Sequence, residues 1–385
     1  MRFDECEIKE LIGWKTALHR IPEPSMHEHK TTAFIKARLN EIGTELADFG
    51  LKTGAVAVIR GKNPEKSGKT VLLRADIDGI KANETAAVGV KSEHEGMMHA
   101  CGHDFHTAAL LGAAKLLKRH EAELKNDVIL LFQPGEETCE GANLVIKNGL
   151  FERLRPDRVY GLHNRPEVDC GRIVVNKGPL MAAKDNFKIT VTGVGGHSSM
   201  PHLIKDPITC AGHILCAVNT IVSRNIDPTD TVVISVCSVH GGVPENLVVD
   251  TVEMTGSMRS FDEGARARAL ERLETIVEST ARAFECEGRF ELNFAAPAVT
   301  NGEKMYGYAL SAARKTVPEC DVISAAPCLA SEDFALYSKK ADTFFFWVGS
   351  GVPNEHNPSW HNSDFRTDDR AIETAARLLA ACGME

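Results

Sequence analysis

Hydrophobic and polar residues follow two different periods along this chain. In the first part, short and nearly continuous apolar runs such as Ala55–Ile59 and Thr70–Asp76 alternate with segments whose apolar residues recur at helical spacing. Continuous apolar runs are typical of strands that are covered on both faces. Strands that alternate with helices predict an α/β domain with a mixed, doubly wound sheet and helices on both faces.

The elements of this first part follow from the same patterns. Asp104 is expected to be the N-cap of a helix that carries Ala108, Leu111, Ala114 and Leu117. The other predicted helices cover residues 5–20, 31–42 and 142–150, and the predicted strands cover 55–59, 70–76, 127–132 and 158–163.

The pattern changes near residue 183, where apolar and polar residues begin to alternate as in a strand with one face in water. The order strand, helix, strand, strand, helix, strand predicts an α+β split-βαβ, ferredoxin-like domain. Its elements are expected at 184–192, 207–225, 231–239, 248–258, 263–285 and 288–294. The α/β pattern then returns, with a helix at 306–316, a strand at 343–349 and a last helix from 368. We therefore expect a domain of residues 1–182 and 294–385, interrupted by an inserted domain of residues 183–293.

Composition and charge exclude several classes of protein. The 385 residues are 43% hydrophobic and 25% charged, with a formal net charge of −9. An acidic chain gives no electrostatic reason to expect nucleic acid. No apolar run approaches the roughly 20 residues of a membrane span, and the charged N-terminus lacks the apolar core of a signal peptide. Eleven scattered cysteines do not indicate a disulfide framework. A cytoplasmic protein without membrane partners is expected.

Candidate chemistry lies at the ends of the predicted strands. Cys101 and His103 are separated by Gly102, which permits a tight turn, and a thiolate with imidazoles suits zinc, manganese or cobalt. A buried cysteine beside surface histidines is the alternative. The carboxyl ends of α/β strands share one edge, so we expect one site there. The other candidates at strand ends are Asp76, Asp78, Glu136, Glu137 and His163.

Six short stretches follow one another along the chain in a recognisable order. They are Arg-Ala-Asp-Ile-Asp at 74–78, His-Ala-Cys-Gly-His-Asp at 99–104, Gln-Pro-Gly-Glu-Glu at 133–137, Gly-Leu-His at 161–163, Gly-His-Ser-Ser-Met-Pro-His at 196–202 and Trp-His at 360–361. With these stretches the chain resembles a known group of amidohydrolases, and the similarity extends over nearly its whole length. The group includes hippurate hydrolase, auxin-conjugate hydrolases and N-acetyl-diaminopimelate deacetylase, and it is related to aminoacylase and carboxypeptidase G.

The resemblance implies a centre of two divalent metal ions, with zinc or manganese favoured and cobalt or nickel as alternatives. Cys101 would bridge the ions. Glu136 would be the general base that takes a proton from a metal-bridging water. Asp76 and Asp78 would orient a ligand histidine. The remaining metal ligands would be His103, Glu137, His163 and His361.

The resemblance also assigns residues of the inserted domain, which would serve as a lid and as a dimerisation domain. His197 would stabilise the oxyanion, in the site of the neighbouring subunit of a homodimer. Asn246 and Arg259 would hold the substrate carboxylate, which suits the guanidinium fork. An arginine on a strand surface is the alternative for Arg259.

Several residues differ from those that are usual at the same positions in the group, and others are expected to have no catalytic role. The sequence 246–250 lacks a proline that is usual in the group, Ile80-Lys81 replaces the usual Leu-Pro, and Ser363 stands where a proline often follows the last ligand histidine. Phe105 and Trp360 could line the acyl pocket. Structural or surface roles are expected for His99, His106 and Asp333.

The function expected from the resemblance is hydrolysis of the amide bond of a small N-acyl amino acid. A metallo-dipeptidase or carboxypeptidase would use the same site, and a metal-dependent binding protein without turnover is a further alternative. Glu136 argues against a pure binder, because binding needs no base beside the metals. A thiol redox protein built on Cys101 would need a second cysteine two or three residues away, and the sequence has none there.

Overall fold

The structure is a computed structural model that describes residues 1–86, 89–243 and 245–385, without the side chain of Phe294. The described chain forms two compact units. Unit 1 contains Met1–Gly178, Thr300–Ala326 and Asp333–Glu385, and unit 2 contains Pro179–Val299 and Pro327–Glu332. No helix in the described ranges is long and apolar enough to cross a membrane.

The helices are numbered in chain order. They are α1 (Glu5–His19), α2 (His29–Ile42), α3 (His103–Arg119), α4 (Gly141–Lys147), α5 (Leu150–Leu154), α6 (Pro207–Val218), α7 (Thr220–Asn225), α8 (Glu263–Ala283), α9 (Glu303–Thr316) and α10 (Ala371–Met384). Short 3₁₀ helices cover Pro201–Leu203, Glu319–Asp321 and Asp333–Lys339.

The strands are numbered in the same way. They are β1 (Glu45–Ala47), β2 (Ala55–Ile59), β3 (Thr70–Asp76), β4 (Ile80–Lys81), β5 (Met97–Met98), β6 (Asp127–Gln133), β7 (Arg158–Asp169), β8 (Ile173–Val174), β9 (Gly178–Met181), β10 (Ala183–Thr192), β11 (Gly196–His197), β12 (Val232–His240), β13 (Leu247–Val248), β14 (Thr251–Ser260), β15 (Glu287–Ala296), β16 (Val299–Asn301), β17 (Val322–Ile323) and β18 (Asp342–Gly351).

Unit 1 is built on a mixed eight-stranded sheet in the order β1-β2-β6-β3-β7-β18-β8-β17. Its four central strands, β6, β3, β7 and β18, are parallel, and β2 pairs with β6 in the antiparallel sense. Alternate residues of β6 face opposite sides, and every residue from Val128 to Gln133 is buried. The core on one face includes side chains from α1, α2, α3, α9 and α10. The predicted α/β class with a mixed sheet is confirmed.

Unit 2 contains a four-stranded antiparallel sheet in the order β12-β14-β10-β15. Helices α6, α7 and α8 bury their apolar residues against one face of this sheet. The element order and the strand order are those of the split-βαβ arrangement that the sequence predicts.

Several boundaries differ from the predicted ones. The predicted helix over 142–150 is two helices, because Gly149 adopts a left-handed conformation (φ 78°) before α5 begins. The predicted helix over 207–225 is likewise divided at Asn219. Asp104 is not an N-cap. Helix α3 begins at His103 after the left-handed Gly102, so Asp104 lies within the first turn.

A buried arginine connects three segments of unit 1. Arg74 on β3 is fully buried. Its guanidinium donates to Asp76 Oδ2 at 2.8 Å, to Gln133 Oε1 at 3.0 Å and to Asp333 Oδ1 at 3.0 Å. Asp333 also accepts from the side-chain amide of Gln133 and from the backbone N–H of Ala142. The arginine therefore compensates the negative charge of two buried carboxylates, Asp76 and Asp333. These contacts confirm the structural role expected for Asp333.

Replacing Arg74 by methionine is expected to destabilise the fold strongly. The change keeps most of the side-chain volume but leaves Asp76 and Asp333 buried without their cation, which costs about 3–5 kcal/mol when one partner of a buried pair is removed. Urea denaturation of the metal-free protein measures the change. Arg20→Met is the control, because Arg20 pairs with Glu93 at the surface and exposed pairs contribute at most about 1 kcal/mol. Equal stability losses in the two variants would contradict this account of Arg74.

Candidate metal centre

The candidate ligands of unit 1 lie at the carboxyl edge of its sheet. Strand β3 ends at Asp76, two residues before Asp78, and β6 ends at Gln133, before Glu136 and Glu137. His163 lies within β7, which is parallel to β3. Because parallel strands end at the same edge, residues distant in sequence converge there.

Cys101 and His163 are brought together by a turn at Gly102. Gly102 has φ 86°, and a Cβ at this position would clash with the side-chain amide of Asn164. That amide donates to the carbonyl of Cys101 at 2.6 Å. Nδ1 of His163 donates to the carbonyl of Asn164 at 2.7 Å, so its Nε2 is the nitrogen that faces Cys101 Sγ, 3.3 Å away.

Carboxylate groups lie near both ring nitrogens of His103. Its Nδ1 donates to Asp78 Oδ1 at 3.1 Å. Its Nε2 is buried without a hydrogen-bond partner among the described residues, 3.5 Å from Asp76 Oδ2 and 3.9 Å from Glu137 Oε1. Burial opposes a positive charge on the ring, but Asp76 and Asp78 outweigh it and raise the pKa of His103 to about 10. The environment of Nε2 therefore favours a cation.

A second group of candidate ligands shares Cys101. His361 Nε2 lies 3.3 Å from Glu137 Oε1, and that oxygen is buried without a hydrogen bond to any described residue. His361 has a left-handed backbone (φ 63°), and its N–H donates to the carbonyl of Ala100 at 2.8 Å. One ligand atom each from Cys101, Glu137 and His361 lies within 4.8 Å of the others.

The two groups fit a pair of metal ions. Cys101, His103 and His163 also place their ligand atoms within 4.8 Å of one another, so Cys101 belongs to both groups. The orphaned atoms, His103 Nε2 and Glu137 Oε1, are the ones that a bound cation would satisfy. Thiolate, imidazole and carboxylate are ligands for borderline divalent metals. The donor set present in the chain is therefore suitable for the metal centre that the resemblance implies.

Glu136 is positioned beside these ligands. It is 7% exposed, and a carboxylate oxygen of Glu136 lies within 4.8 Å of ligand atoms of His103 and Glu137. Its Oε1 lies 3.4 Å from the backbone N–H of Asp333, which donates to it. A carboxylate at this place could accept a proton from a water near the ligand atoms.

The other two histidines of the 98–106 stretch, His99 and His106, are also buried. His106 donates from Nδ1 to Asp76 Oδ1 at 2.6 Å, and its Nε2 accepts from the backbone N–H of Asn164 at 2.9 Å. Both nitrogens are therefore used, which confirms the structural role expected for His106. His99 is buried, and burial lowers the pKa of its ring to about 4.

The structure corrects one expectation and adds residues that the sequence pattern did not single out. Phe105 is fully buried in the core of unit 1, because it lies on the core side of α3, so it does not line an acyl pocket. Trp360 packs edge-on against the ring of His163, with centroids 5.1 Å apart, and its role at a pocket stays a prediction. The side chain of Asn164 fixes the carbonyl of Cys101, and the side chain of Arg74 bonds to Asp76, although no periodic pattern in the sequence indicates either contact.

The residues predicted in the inserted domain lie within unit 2. His197 on β11 pairs with Leu247 on β13, and the N–H of Ser198 donates to the carbonyl of Asn246 at 3.0 Å. His197 and Asn246 are thus neighbours, and both are exposed. Arg259 lies on β14 of the four-stranded sheet, opposite to Lys184, and is half-buried. Its neighbours Met258 and Ser260 are buried, so Arg259 faces the opposite side of the sheet.

Comparison with protein families and with characterised proteins gives consistent matches. The family model of Peptidase family M20/M25/M40 matches residues 72–385. N-acetyl-L-cysteine deacetylase of Bacillus subtilis is 40% identical over 371 residues, which cover 96% of this chain and 86% of that protein. Thermostable carboxypeptidase 2 of Saccharolobus solfataricus is 35% identical over 383 residues, which cover 96% of this chain and 94% of that protein.

A solved structure matches the fold over nearly its whole length. It is a dinuclear metal-binding peptidase of the M20 family from Bacillus subtilis, with a TM-score of 0.87 and 33% sequence identity. The match covers 99% of this chain and 98% of that one. The chain therefore belongs to Peptidase family M20/M25/M40 and is a metal-dependent hydrolase of amide bonds.

Proposed function

We propose that this chain hydrolyses the amide bond of small N-acyl amino acids, with N-acetyl amino acids as the first class to test. The observation that carries the proposal is the pair of ligand groups that share Cys101, with the carboxylate of Glu136 beside them. The relative that is 40% identical is named for the removal of an acetyl group from N-acetyl-L-cysteine, and this activity supports the proposed substrate class.

The proposed metal ligands are the five side chains described above, with Cys101 as the bridge. Two divalent cations bound there would polarise the substrate carbonyl and lower the pKa of the attacking water toward neutrality. Sulfur and nitrogen ligands favour zinc, although manganese, cobalt or nickel are alternatives because metal availability also decides occupancy. The five ligands are Cys101, His103, Glu137, His163 and His361.

Residues of the chain then divide the proton transfers and the orientation of ligands. Glu136 takes the proton from the attacking water and returns it to the nitrogen of the leaving amine. Asp78 holds Nδ1 of His103, so that Nε2 is the nitrogen left to bind. Asp76 lies beside His103 and also holds His106, which fixes that neighbouring ring.

Substrate-binding residues in the inserted domain complete the proposal. Nδ1 of His197 accepts from the backbone N–H of Ser199 at 3.2 Å, which favours the tautomer with its proton on Nε2. That exposed N–H is suitable for stabilising an oxyanion. Asn246 and Arg259 would hold the substrate carboxylate. In this proposal residues 183–293 are the lid and dimerisation domain, and residues 1–182 with 294–385 are the catalytic domain.

We further propose a homodimer through the inserted domain, and a cytoplasmic location as expected from the sequence. Strand β12 stands at one end of the four-stranded sheet. It exposes Val233 and Val239, which are 40% and 52% accessible. An edge strand with apolar side chains is a suitable surface for pairing with a second copy.

Replacing Glu136 by glutamine is expected to abolish hydrolysis without loss of metal. The amide keeps the shape of the side chain but cannot accept the proton of the water, and loss of a general base lowers kcat by about 10² to 10⁴-fold. Steady-state kinetics on an N-acetyl amino acid measure the effect. Metal content by elemental analysis is the control, with two ions per chain expected in both proteins. Near-normal turnover by the variant would remove Glu136 from the mechanism.

A substrate panel separates the proposed activity from carboxypeptidase activity, which the relative at 35% identity makes the second candidate. Enzyme stripped with a chelator is assayed on N-acetyl amino acids, N-benzoyl amino acids and dipeptides after addition of zinc, manganese, cobalt or nickel. We expect activity to return only with metal, and N-acyl amino acids to be the preferred class. Hydrolysis of dipeptides alone would favour the carboxypeptidase. Absence of turnover on every substrate, with two ions bound, would indicate a binding protein.

The proposed role of His197 across a dimer is tested by complementation. Glu136→Gln and His197→Ala proteins are expected to be inactive alone. A mixed dimer combines the intact Glu136 of one subunit with the intact His197 of the other in one of its two sites. Random subunit exchange should therefore restore about a quarter of wild-type activity. Native mass spectrometry verifies the mixed dimers. Activity that stays at the level of the parent variants, in a sample that contains mixed dimers, would assign His197 to its own subunit.

A further inference from the structure

The proposed base Glu136 lies in a tight turn between β6 and α4. Gly135 precedes it with a left-handed backbone (φ 64°). The carbonyl of Gly135 accepts from the N–H groups of Glu140 and Gly141, both at 3.1 Å. The carbonyl of Glu136 accepts from the N–H of Cys139 at 2.7 Å. These bonds hold the carbonyl groups of Gly135 and Glu136. The N–H of Gly135 needs a separate acceptor.

That partner is a buried carboxyl group from the N-terminal part of the chain. Oε1 of Glu28 accepts from the N–H of Gly135 at 2.8 Å and from the N–H of Met26 at 2.8 Å. Glu28 is fully buried and immediately precedes α2. Burial raises the pKa of its carboxyl group, although hydrogen bonds partly oppose the shift. Burial of a carboxyl group is costly, which argues that its contact with the turn is required.

The segment around Glu28 contacts both sides of Glu136. A Cβ at Gly135 would lie 2.5 Å from Sδ of Met26, so the side chain of Met26 packs directly against the backbone of Gly135. On the other side, Ser25 donates to Asp78 Oδ2 at 2.6 Å, and the same oxygen accepts from the N–H of Glu137 at 3.0 Å. The residues before and after Glu136 are therefore both connected to residues 25–28.

We propose that Glu28 is a positioning residue for catalysis, which holds the turn of Gly135 so that the carboxylate of Glu136 faces the attacking water. The inference rests on the proposed function, because it concerns the orientation of the proposed base. Glu28 acts through the backbone of Gly135 and does not contact substrate. A displacement of a catalytic group by about 1 Å can cost on the order of 100-fold in rate. We therefore expect loss of the contact to lower kcat strongly, while the protein still folds and keeps its metal.

The chain offers a matched control in Glu23. Its side chain is also buried, and its Oε2 accepts from the N–H of Thr31 at 2.9 Å and from the hydroxyl of Thr31 at 3.1 Å. Glu23 thus stabilises the same start of α2, but among the described residues its side chain bonds to Thr31 and not to the turn that carries Glu136. Loss of either carboxyl group should lower stability, whereas loss of Glu28 alone should lower kcat.

The experiment compares four full-length, metal-loaded variants with the wild type, using an N-acetyl amino acid as substrate. Glu28→Ala removes the acceptor, and Glu28→Asp keeps the charge but shortens the reach. Glu28→Gln keeps an acceptor oxygen at the same length, and Glu23→Ala is the control. We expect kcat to fall about 10- to 100-fold in Glu28→Ala and Glu28→Asp, with KM and metal content within about threefold of wild type. Glu28→Gln and Glu23→Ala should retain kcat within about threefold.

Each result supports or overturns the inference. Should Glu28→Ala fail to fold, Glu28→Asp and Glu28→Gln still test whether the acceptor at full length is required. Unchanged kcat in Glu28→Asp, or an equal fall in Glu23→Ala, would overturn the positioning role. A fall in Glu28→Gln as large as in Glu28→Asp would overturn it too, because an acceptor oxygen at full length would then not be enough to restore kcat. Absence of turnover in the wild type would instead contradict the proposed function.

Discussion

The carboxylate of Asp78 connects the segments from which the centre is built. Its two oxygens accept from Nδ1 of His103, from the hydroxyl of Ser25 and from the backbone N–H of Glu137. Asp78 is 1% exposed, so these bonds replace its contacts with water. Burial alone would raise the pKa of Asp78, but the bond to His103 and its charge outweigh burial and lower it. One ionised carboxylate thus orients one candidate ligand, His103, and fixes the backbone of another, Glu137.

Buried carboxylates at the carboxyl edge of the sheet in unit 1 make this region favourable for cations. Asp76, Asp78 and Glu136 are all buried, carboxylate oxygens of Asp76 and Glu136 lie within 4.8 Å of each other, and Arg74 donates to Asp76. His103 supplies positive charge in the metal-free chain, since Asp76 and Asp78 outweigh burial and raise the pKa of its ring to about 10. A bound cation would displace that proton from Nε2. The protein therefore has a local excess of buried negative charge that divalent ions can neutralise.

The sequence predicts the sheet better than it predicts the site. The apolar runs at 55–59 and 70–76 coincide with β2 and β3, because strands that are buried on both faces have few polar positions. The convergence of Asp76, Glu137 and His163 at one edge also follows from strand order. By contrast, the left-handed backbone of His361 and its bond to Ala100 depend on tertiary contacts that no local pattern reveals.

The errors have physical causes of the same kind. Phe105 follows the candidate ligand His103 by only two residues, yet the rotation of the helix over those two residues places it in the core of unit 1. Asp104 is typical of an N-cap, but the required turn at Gly102 moves the helix start to His103. Glu28 precedes the base turn by more than a hundred residues, and its contact with Gly135 could be found only after folding. The order of the six stretches nevertheless identifies the family, because the resemblance that they carry is confirmed by the match to residues 72–385.

The two candidate ligand groups differ in how firmly the protein orients their histidine rings before metal binds. His103 and His163 are 0% and 4% exposed, and each has its Nδ1 fixed by an oxygen acceptor. The side chain of His361 is 53% exposed, and its ring contacts Glu137 without a described acceptor that fixes Nδ1. Ligands that are already oriented lose less conformational entropy on binding. The group of Cys101, His103 and His163 is therefore expected to bind the first ion more tightly. Binding of an ion to the second group, Cys101, Glu137 and His361, then requires the ring of His361 to become ordered. The bound ion itself would hold that ring and its segment in place.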